Sequence, residues 1–319
     1  MNILYACDNQ YANLLLGSMY SLLTNHQNPI HIYLAYDQLD LKHQKRMDML
    51  AQQFPNATLT FLNPRKIRMI LDHYPIPTWR GSKIANARLF FREFMPDIDH
   101  LLYLDSDTII WQNLEGIEKE APISAVLERR VPPHYASYVS SDTKYFNSGV
   151  LSFHIQEWDK IDGTKKIADA VFKKHPDLLY PDQDLLNFAL QNQIHPLFFS
   201  YNLFPHDFIH SYHQYQRIFP KFTEYYSEEE FEKAKNEAKI LHMIEIGNVR
   251  PWIKNRCYPF NEAYEYYQKQ VGNKIKKTTL NFPNNLFSYL SPTMLSYFNY
   301  SKTFIPTPIL EKIKEKIYK

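Results

Sequence analysis

The first apolar run, Ile3-Leu-Tyr-Ala6, is continuous and stops at Asp8-Asn-Gln, the pattern of a central strand buried on both faces. Leu14, Leu15, Met19, Leu22 and Leu23 follow at helical spacing, and Ile30-His-Ile-Tyr-Leu-Ala-Tyr36 reads as a second strand. Residues 40–54 form a polar helix that ends before Pro55, so the chain opens with a βαβ unit. The alternation continues with a strand at Thr58–Leu62, a helix around Ile84–Phe94 and an apolar strand, Leu101–Leu104, running into Asp105. Further strands are expected at Ile123–Leu127, Gly149–Phe153 and Ile240–Ile244, with a helix from about Asp184 to Leu190. The aromatic stretch 192–239 shows no clear period.

Such alternation predicts an α/β layered domain with a mixed, mostly parallel sheet, the layout of a single Rossmann-like domain. Ligands in open sheets of this kind sit beyond the carboxyl ends of the strands. Asp8 and the Asp105/Asp107 pair both fall at such ends, so two strand ends point at one crevice.

Composition narrows the picture. With 319 residues, 45% apolar and 22% charged, the chain is long enough for a full core and unlike a disordered one. Two cysteines make no disulfide framework, and the first residues lack the basic and apolar regions of a secretory signal. A cytoplasmic protein is expected, and no apolar run is long enough to span a bilayer. The net charge of +2 is uneven, because residues 271–319 carry eight Lys against two Glu. Basic charge confined to one tail argues against nucleic acid as a partner.

The change in character near Tyr258 divides the chain into a catalytic domain, residues 1–258, and a basic aromatic extension, residues 259–319. Ile309, Leu310, Ile313 and Ile317 share one face of a short terminal helix surrounded by lysines. Two readings stand: peripheral docking on the anionic inner face of the membrane, or packing of this stripe on the domain.

The seven glycines are too far apart for a dinucleotide fingerprint or a P-loop, so phosphates must be held another way. Asp105-Ser106-Asp107 offers one. In extended chain, residues i and i+2 face the same side, and two carboxylates there can grip a hard divalent cation. A solvated turn would carry the same three residues; the preceding apolar strand strengthens the metal reading, and both readings stand at this point.

Several motifs in order then resemble the family 8 retaining glycosyltransferases, the group with bacterial lipopolysaccharide galactosyltransferases and glycogenin. They are Ile3–Tyr11, Ala87-Arg88-Leu89, Leu102–Asp107, Phe146-Asn-Ser-Gly-Val150, Asp182-Gln-Asp184-Leu-Leu-Asn187, and His242 with Gly247 before Arg250-Pro-Trp252. The resemblance covers roughly residues 1–258 and implies a GT-A type fold that binds a UDP-sugar. It implies that Ala6 and Asp8 meet uracil and ribose, and that Tyr11 stacks on the base. Arg88 would lie near the donor sugar and phosphate; the alternative is a surface ion pair with Glu93 or Asp97.

The resemblance further implies that Asp105, Asp107 and His242 hold Mn²⁺, with Mg²⁺ as a substitute, and that Ser106 belongs to the same nucleotide-sugar site. Asn147 and Ser148 would contact the donor sugar. Asp182 would bind sugar hydroxyls, and Gln183 would face the anomeric carbon. Gly247 and Arg250 would hold the diphosphate. Here the chain departs from the family pattern His-x-x-Gly-x-x-Lys-Pro-Trp: two residues are added between His242 and Gly247, and Arg250 replaces Lys.

The activity implied is transfer of glucose or galactose to a glycan, glycoprotein or glycolipid acceptor in cell-surface polysaccharide synthesis. Two other classes compete: a non-catalytic sugar-nucleotide or glycan-binding module on the same fold, and a metal phosphohydrolase. Phosphohydrolases usually need more ligands around two metals.

Overall fold

A computed structural model of the chain describes residues 1–136, 143–173, 178–208, 210–244, 251 and 260–274. The expectations for Gly247, Arg250 and the terminal helix Ile309–Lys319 lie outside the described residues.

Among the described residues, nine strands build two sheets: β1 (Asn2–Cys7), β2 (Ile30–Tyr36), β3 (Ala57–Phe61), β4 (His100–Leu104), β5 (Thr108–Ile110), β6 (Ile123–Leu127), β7 (Phe146–His154), β8 (Ile194–Pro196) and β9 (Ile240–His242). The main sheet runs β3-β2-β1-β4-β7-β6-β8, and β5 pairs with β9 apart from it. The pairs of β1 with β2 and β4, β2 with β3, and β6 with β8 are parallel; β7 is antiparallel to both neighbours. This is the mixed, mostly parallel α/β sheet that the pattern predicts. Ile3, Leu4, Leu34, Leu104, Val150 and Leu151 are fully buried, as continuous apolar strands between two helical layers must be.

The helices are α1 (Ala12–Asn25), α2 (Leu41–Ala51), α3 (Pro64–His73), α4 (Pro133–Ala136), α5 (Ile155–Lys160), α6 (Gly163–Phe172), α7 (Pro181–Leu190), α8 (Tyr212–Ile218), α9 (Pro220–Thr223), α10 (Glu228–Asn236) and α11 (Asn261–Gln270). Helix α1 buries Leu15, Leu16, Met19, Leu22 and Leu23 against the sheet. The pattern reading missed α3, although Asn63 caps it by accepting from the N–H groups of Arg65 and Lys66, with Pro64 in the first turn.

Two expectations change. The helix expected around Ile84–Phe94 is instead a pair of 3₁₀ turns, Ile84–Leu89 and Phe91–Glu93. This segment is buried on nearly every side, and its tight turns turn Arg88 inward to the strand ends. The strand expected at Ile240–Ile244 stops at His242 and leaves the main sheet to pair with β5, Thr108 opposite His242. That pairing brings His242 beside Asp107, whose carbonyl accepts the Met243 N–H at 2.9 Å.

The stretch 192–239 folds into a layer of short helices around Phe199, Tyr215, Phe222 and Phe231. Capping boxes at Ser211/Gln214 and Ser227/Glu230 start α8 and α10. Residues 260–274, placed in the extension above, pack on α1: Phe260, Ala263, Tyr264 and Tyr267 join the same core. Gly17 of α1 makes this approach close, since a Cβ there would lie 2.2 Å from Gln268 Nε2. Among the described residues no helix is long and apolar enough to cross a membrane.

Candidate active site

At the carboxyl end of β1 the Asp8 carboxylate accepts the N–H groups of Gln10 at 2.9 Å and Tyr11 at 3.3 Å, fixing the turn into α1. Tyr11, half-buried, sits at the start of that helix. The Ala6 carbonyl accepts the Ser106 hydroxyl at 3.3 Å, which ties the two strand ends together. A cavity of about 450 Å³ opens beside them, with Asp8, Gln10, Arg68, Ser82, Lys83 and Ile84 in its wall.

Strand β4 ends at Leu104, and the next three residues form a turn closed by Thr108, whose N–H and hydroxyl both donate to the Asp105 carbonyl, at 3.2 and 2.8 Å. Asp105 and Asp107 therefore converge across a turn rather than along extended chain. Asp105 Oδ1 is taken by the Tyr103 hydroxyl at 2.9 Å and by Arg88 Nη2 at 2.8 Å. Its Oδ2 faces His242 Nε2 at 3.7 Å, and Asp107 Oδ1 lies 3.2 Å from the same nitrogen. One ligand atom from each of Asp105, Asp107 and His242 lies within 4.8 Å of the others. Two carboxylate oxygens and one imidazole are a donor set that fits a first-row divalent cation.

Arg88 spans the floor of the site. Its Nη1 donates to the Ser148 carbonyl at 2.7 Å, and its Nε stands 3.2 Å from Asp182 Oδ2. Burial opposes the guanidinium charge, but Asp105 and Asp182 outweigh it and raise the pKa, so Arg88 is cationic at any working pH. The surface pair with Asp97 belongs to Arg92 instead, at 3.4 Å. Beside Arg88, Asp182 Oδ2 accepts the Ser148 hydroxyl at 2.8 Å, and Gln183 Oε1 accepts the Ser148 N–H at 3.0 Å and Asn147 Nδ2 at 3.2 Å. Both come from the first turn of α7, which Pro181 starts. Asp184, next in that turn, is fully buried and accepts Tyr145 OH at 2.5 Å and the Tyr180 N–H at 2.9 Å; it holds structure.

The structure thus gathers Arg88, Asp105, Asp107, Asn147, Ser148, Asp182, Gln183 and His242 in one cluster, with Ala6, Asp8 and Ser106 at its edge. Sequence reasoning missed four residues there. Tyr103 and Glu128 contact Asp105 and Asn147, the latter at 3.0 Å. Gly149 is required by space: a Cβ would lie 2.2 Å from His242 Cε1 and 2.8 Å from Asp105 Oδ2. Its place in the Phe146–Val150 motif was the available signal. Asn202 bonds His242 and Asn147, and nothing local marks it.

A second triplet, His100, Glu120 and His154, also has ligand-type atoms within 4.8 Å of one another. It fits a metal poorly. The Glu157 N–H donates to His154 Nδ1 at 3.3 Å, so the neutral ring carries its proton on Nε2, which faces Glu120 Oε2 at 3.2 Å.

A mostly parallel α/β sheet with an acidic turn and a cavity at its carboxyl edge defines the class: a glycosyltransferase fold of the GT-A type. The chain belongs to glycosyl transferase family 8, whose family model matches residues 2–256. It is 25% identical to general stress protein A of Bacillus subtilis (strain 168) over 282 residues, covering 84% of this chain and 92% of that one. It is also 25% identical to a lipopolysaccharide 1,2-glucosyltransferase of Escherichia coli (strain K12) over 285 residues, 86% and 78% of the two chains. Among solved structures, the galactosyltransferase LgtC with donor and acceptor sugar analogues superposes with a TM-score of 0.62 at 18% identity, over 91% of this chain and 100% of that chain. The glycosyltransferase GlyE of Streptococcus pneumoniae TIGR4 superposes with a TM-score of 0.56 at 22% identity, over 84% and 60%.

Proposed function

We propose that this glycosyltransferase is a retaining hexosyltransferase that takes glucose or galactose from a UDP-sugar, with Mn²⁺ or in its place Mg²⁺, and passes it to a glycan, glycoprotein or glycolipid. The observation that carries the reading is the convergence of Asp105 Oδ2, Asp107 Oδ1 and His242 Nε2 beside Arg88, Asp182 and Gln183. Asp105, Asp107 and His242 would hold the divalent cation, which would supply charge neutralisation at the diphosphate.

The chain's own groups supply the rest. Tyr11 stacks on uracil, a contribution of about 1–3 kcal/mol by analogy with base stacking on aromatic side chains, while Ala6 and Asp8 meet uracil and ribose. Ser106 shares the nucleotide-sugar site, and Gly247 and Arg250 bind the diphosphate. Asn147, Ser148 and Asp182 hold sugar hydroxyls, and Arg88, with Nε 3.2 Å from Asp182 Oδ2, keeps that side chain aimed. An amide is a poor nucleophile, so Gln183 stabilises a cationic anomeric carbon by its dipole, with Oε1 anchored by the Ser148 N–H. The acceptor oxygen bonds the anomeric carbon on the face the phosphate oxygen leaves, and that phosphate takes the acceptor proton. A cytoplasmic enzyme with the basic segment 309–319 against the inner membrane suits a lipid-linked acceptor, and the lipopolysaccharide glucosyltransferase relative supports that class.

The test is UDP release from a panel of UDP-sugars, with Mn²⁺ and with chelator, in the native chain and in Asp105→Ala/Asp107→Ala. Metal-dependent release from one sugar that disappears in the variant is expected. If no UDP-sugar gives UDP and none binds, the chain is a non-catalytic module. Loss of liposome binding on deleting residues 309–319 checks the membrane contact.

A further inference from the structure

We infer that Asn202 is a positioning residue that holds His242 in the tautomer a divalent cation requires, and that the buried Arg129–Asp207 pair holds Asn202. The inference rests on the metal reading of the Asp105–Asp107–His242 site and extends it to a residue outside the family motifs.

Proton accounting carries the argument. Asn and Gln amides have no self-evident orientation, but a backbone N–H is a donor without ambiguity. The Gly149 N–H donates to Asn147 Oδ1 at 2.9 Å, and the Ser148 N–H donates to Gln183 Oε1 at 3.0 Å. Asn147 therefore turns Nδ2 toward two acceptors, Glu128 Oε2 at 3.0 Å and Gln183 Oε1 at 3.2 Å. With Asn147 Oδ1 an acceptor, the Asn202 atom 2.9 Å from it must be Nδ2. Asn202 Oδ1 then faces His242 Nδ1 at 3.0 Å, so Nδ1 carries the proton and donates it. The Nε2 lone pair is left toward Asp107 and Asp105. A histidine ligand generally has its other nitrogen bound in this way, which fixes both tautomer and ring angle.

Asn202 is itself held from behind. It is fully buried, and its carbonyl accepts Arg129 Nη2 at 2.9 Å. Arg129 is paired with buried Asp207 and lies 3.5 Å above the centre of the Phe204 ring. Asp207 also accepts the Tyr215 hydroxyl and the Phe204 N–H, the latter at 2.6 Å. The neighbouring backbone continues into β9: the Leu203 N–H donates to Ile240 and the His242 N–H to Leu203, at 3.0 and 2.8 Å. One rigid layer thus sets both the backbone of His242 and its ring.

The experiment compares the native chain with Asn202→Leu and Asn202→Asp. Long-range ¹H–¹⁵N spectra of the metal-free proteins, with the His242 signal assigned by its loss in His242→Gln, read the tautomer; electron paramagnetic resonance titration reads Mn²⁺ affinity. The native ring should be protonated on Nδ1. Asn202→Leu should mix the tautomers and weaken Mn²⁺ roughly 10–100-fold with the circular dichroism of a folded chain. Asn202→Asp, which still accepts from Nδ1, should restore the tautomer and most of the affinity. A native ring protonated on Nε2 and not on Nδ1, or native Mn²⁺ affinity in folded Asn202→Leu, overturns the inference. Absence of Mn²⁺ binding in the native chain would instead overturn the metal reading, while the tautomer spectra still decide whether Asn202 holds the ring.

Discussion

The two ends of the β4–β7 pair carry triplets of the same kinds of residue with opposite consequences. At the carboxyl end of β4 stand Asp105, Asp107 and His242; at its amino end, where β7 finishes, stand His100, Glu120 and His154. Distance alone does not separate them. In the first, Asn202 occupies His242 Nδ1 and leaves Nε2 to the carboxylates. In the second, the N-terminus of α5 occupies His154 Nδ1 with a donor, which places the ring proton where a cation would bind. The partners differ as well: Asp105 is anchored by Arg88 and Tyr103, whereas the Glu120 side chain is 89% exposed. A metal centre is distinguished by what holds its ligands, not by the ligands' proximity.

The largest effect should come from Asp105→Asn with Asp107→Asn. Losing several kcal/mol of charge stabilisation at the leaving diphosphate should cut UDP release on the order of 1,000-fold. A steady-state assay with and without Mn²⁺ checks this, and a variant that kept Mn²⁺-stimulated release would erase the contrast between the two triplets.

Acid should weaken the packing behind Asn202. Burial lowers the His206 pKa from 6.5 to about 4 despite the attraction of Asp207, so the folded chain keeps it neutral. Between pH 6.5 and about 4 the unfolded chain binds a proton that the folded chain does not, so this contribution is complete above pH 6.5 and lost on acidification. Urea unfolding at pH 7 and pH 4.5 should show the drop, up to about 3 kcal/mol, and His206→Gln should flatten it.

Gly149→Ala should displace His242 and Asp105, costing about 1–3 kcal/mol of stability as overpacking does. It should also lower Mn²⁺ affinity, which calorimetric titration alongside thermal unfolding would register. His154→Ala at the other triplet should cost only about 1 kcal/mol, the value of a lost helix cap, and leave Mn²⁺ affinity and UDP release as they were. If His154→Ala weakened Mn²⁺ binding, the amino-end triplet would be a metal site after all.

Much of this was legible in the chain itself. The apolar runs ending at Asp8 and Asp105 announced buried strands and the edge where a ligand sits, because burial on both faces leaves a continuous apolar signature. The order of motifs from Ile3–Tyr11 to His242 pointed to glycosyl transferase family 8, whose model matches residues 2–256. Capping boxes at Ser211 and Ser227 and the Asn63-Pro64 start are also written locally. Tertiary structure alone decided the rest. Tight turns replaced a helix at Arg88 because burial on every side and the pull of two carboxylates outweigh helical spacing. His242 reached Asp107 only through the β5–β9 pairing, and Asn202 reached His242 only through the layer around Arg129. Periodicity reports which face of an element is apolar, whereas a hydrogen bond between residues distant along the chain leaves no trace in either one's neighbours until folding brings them together.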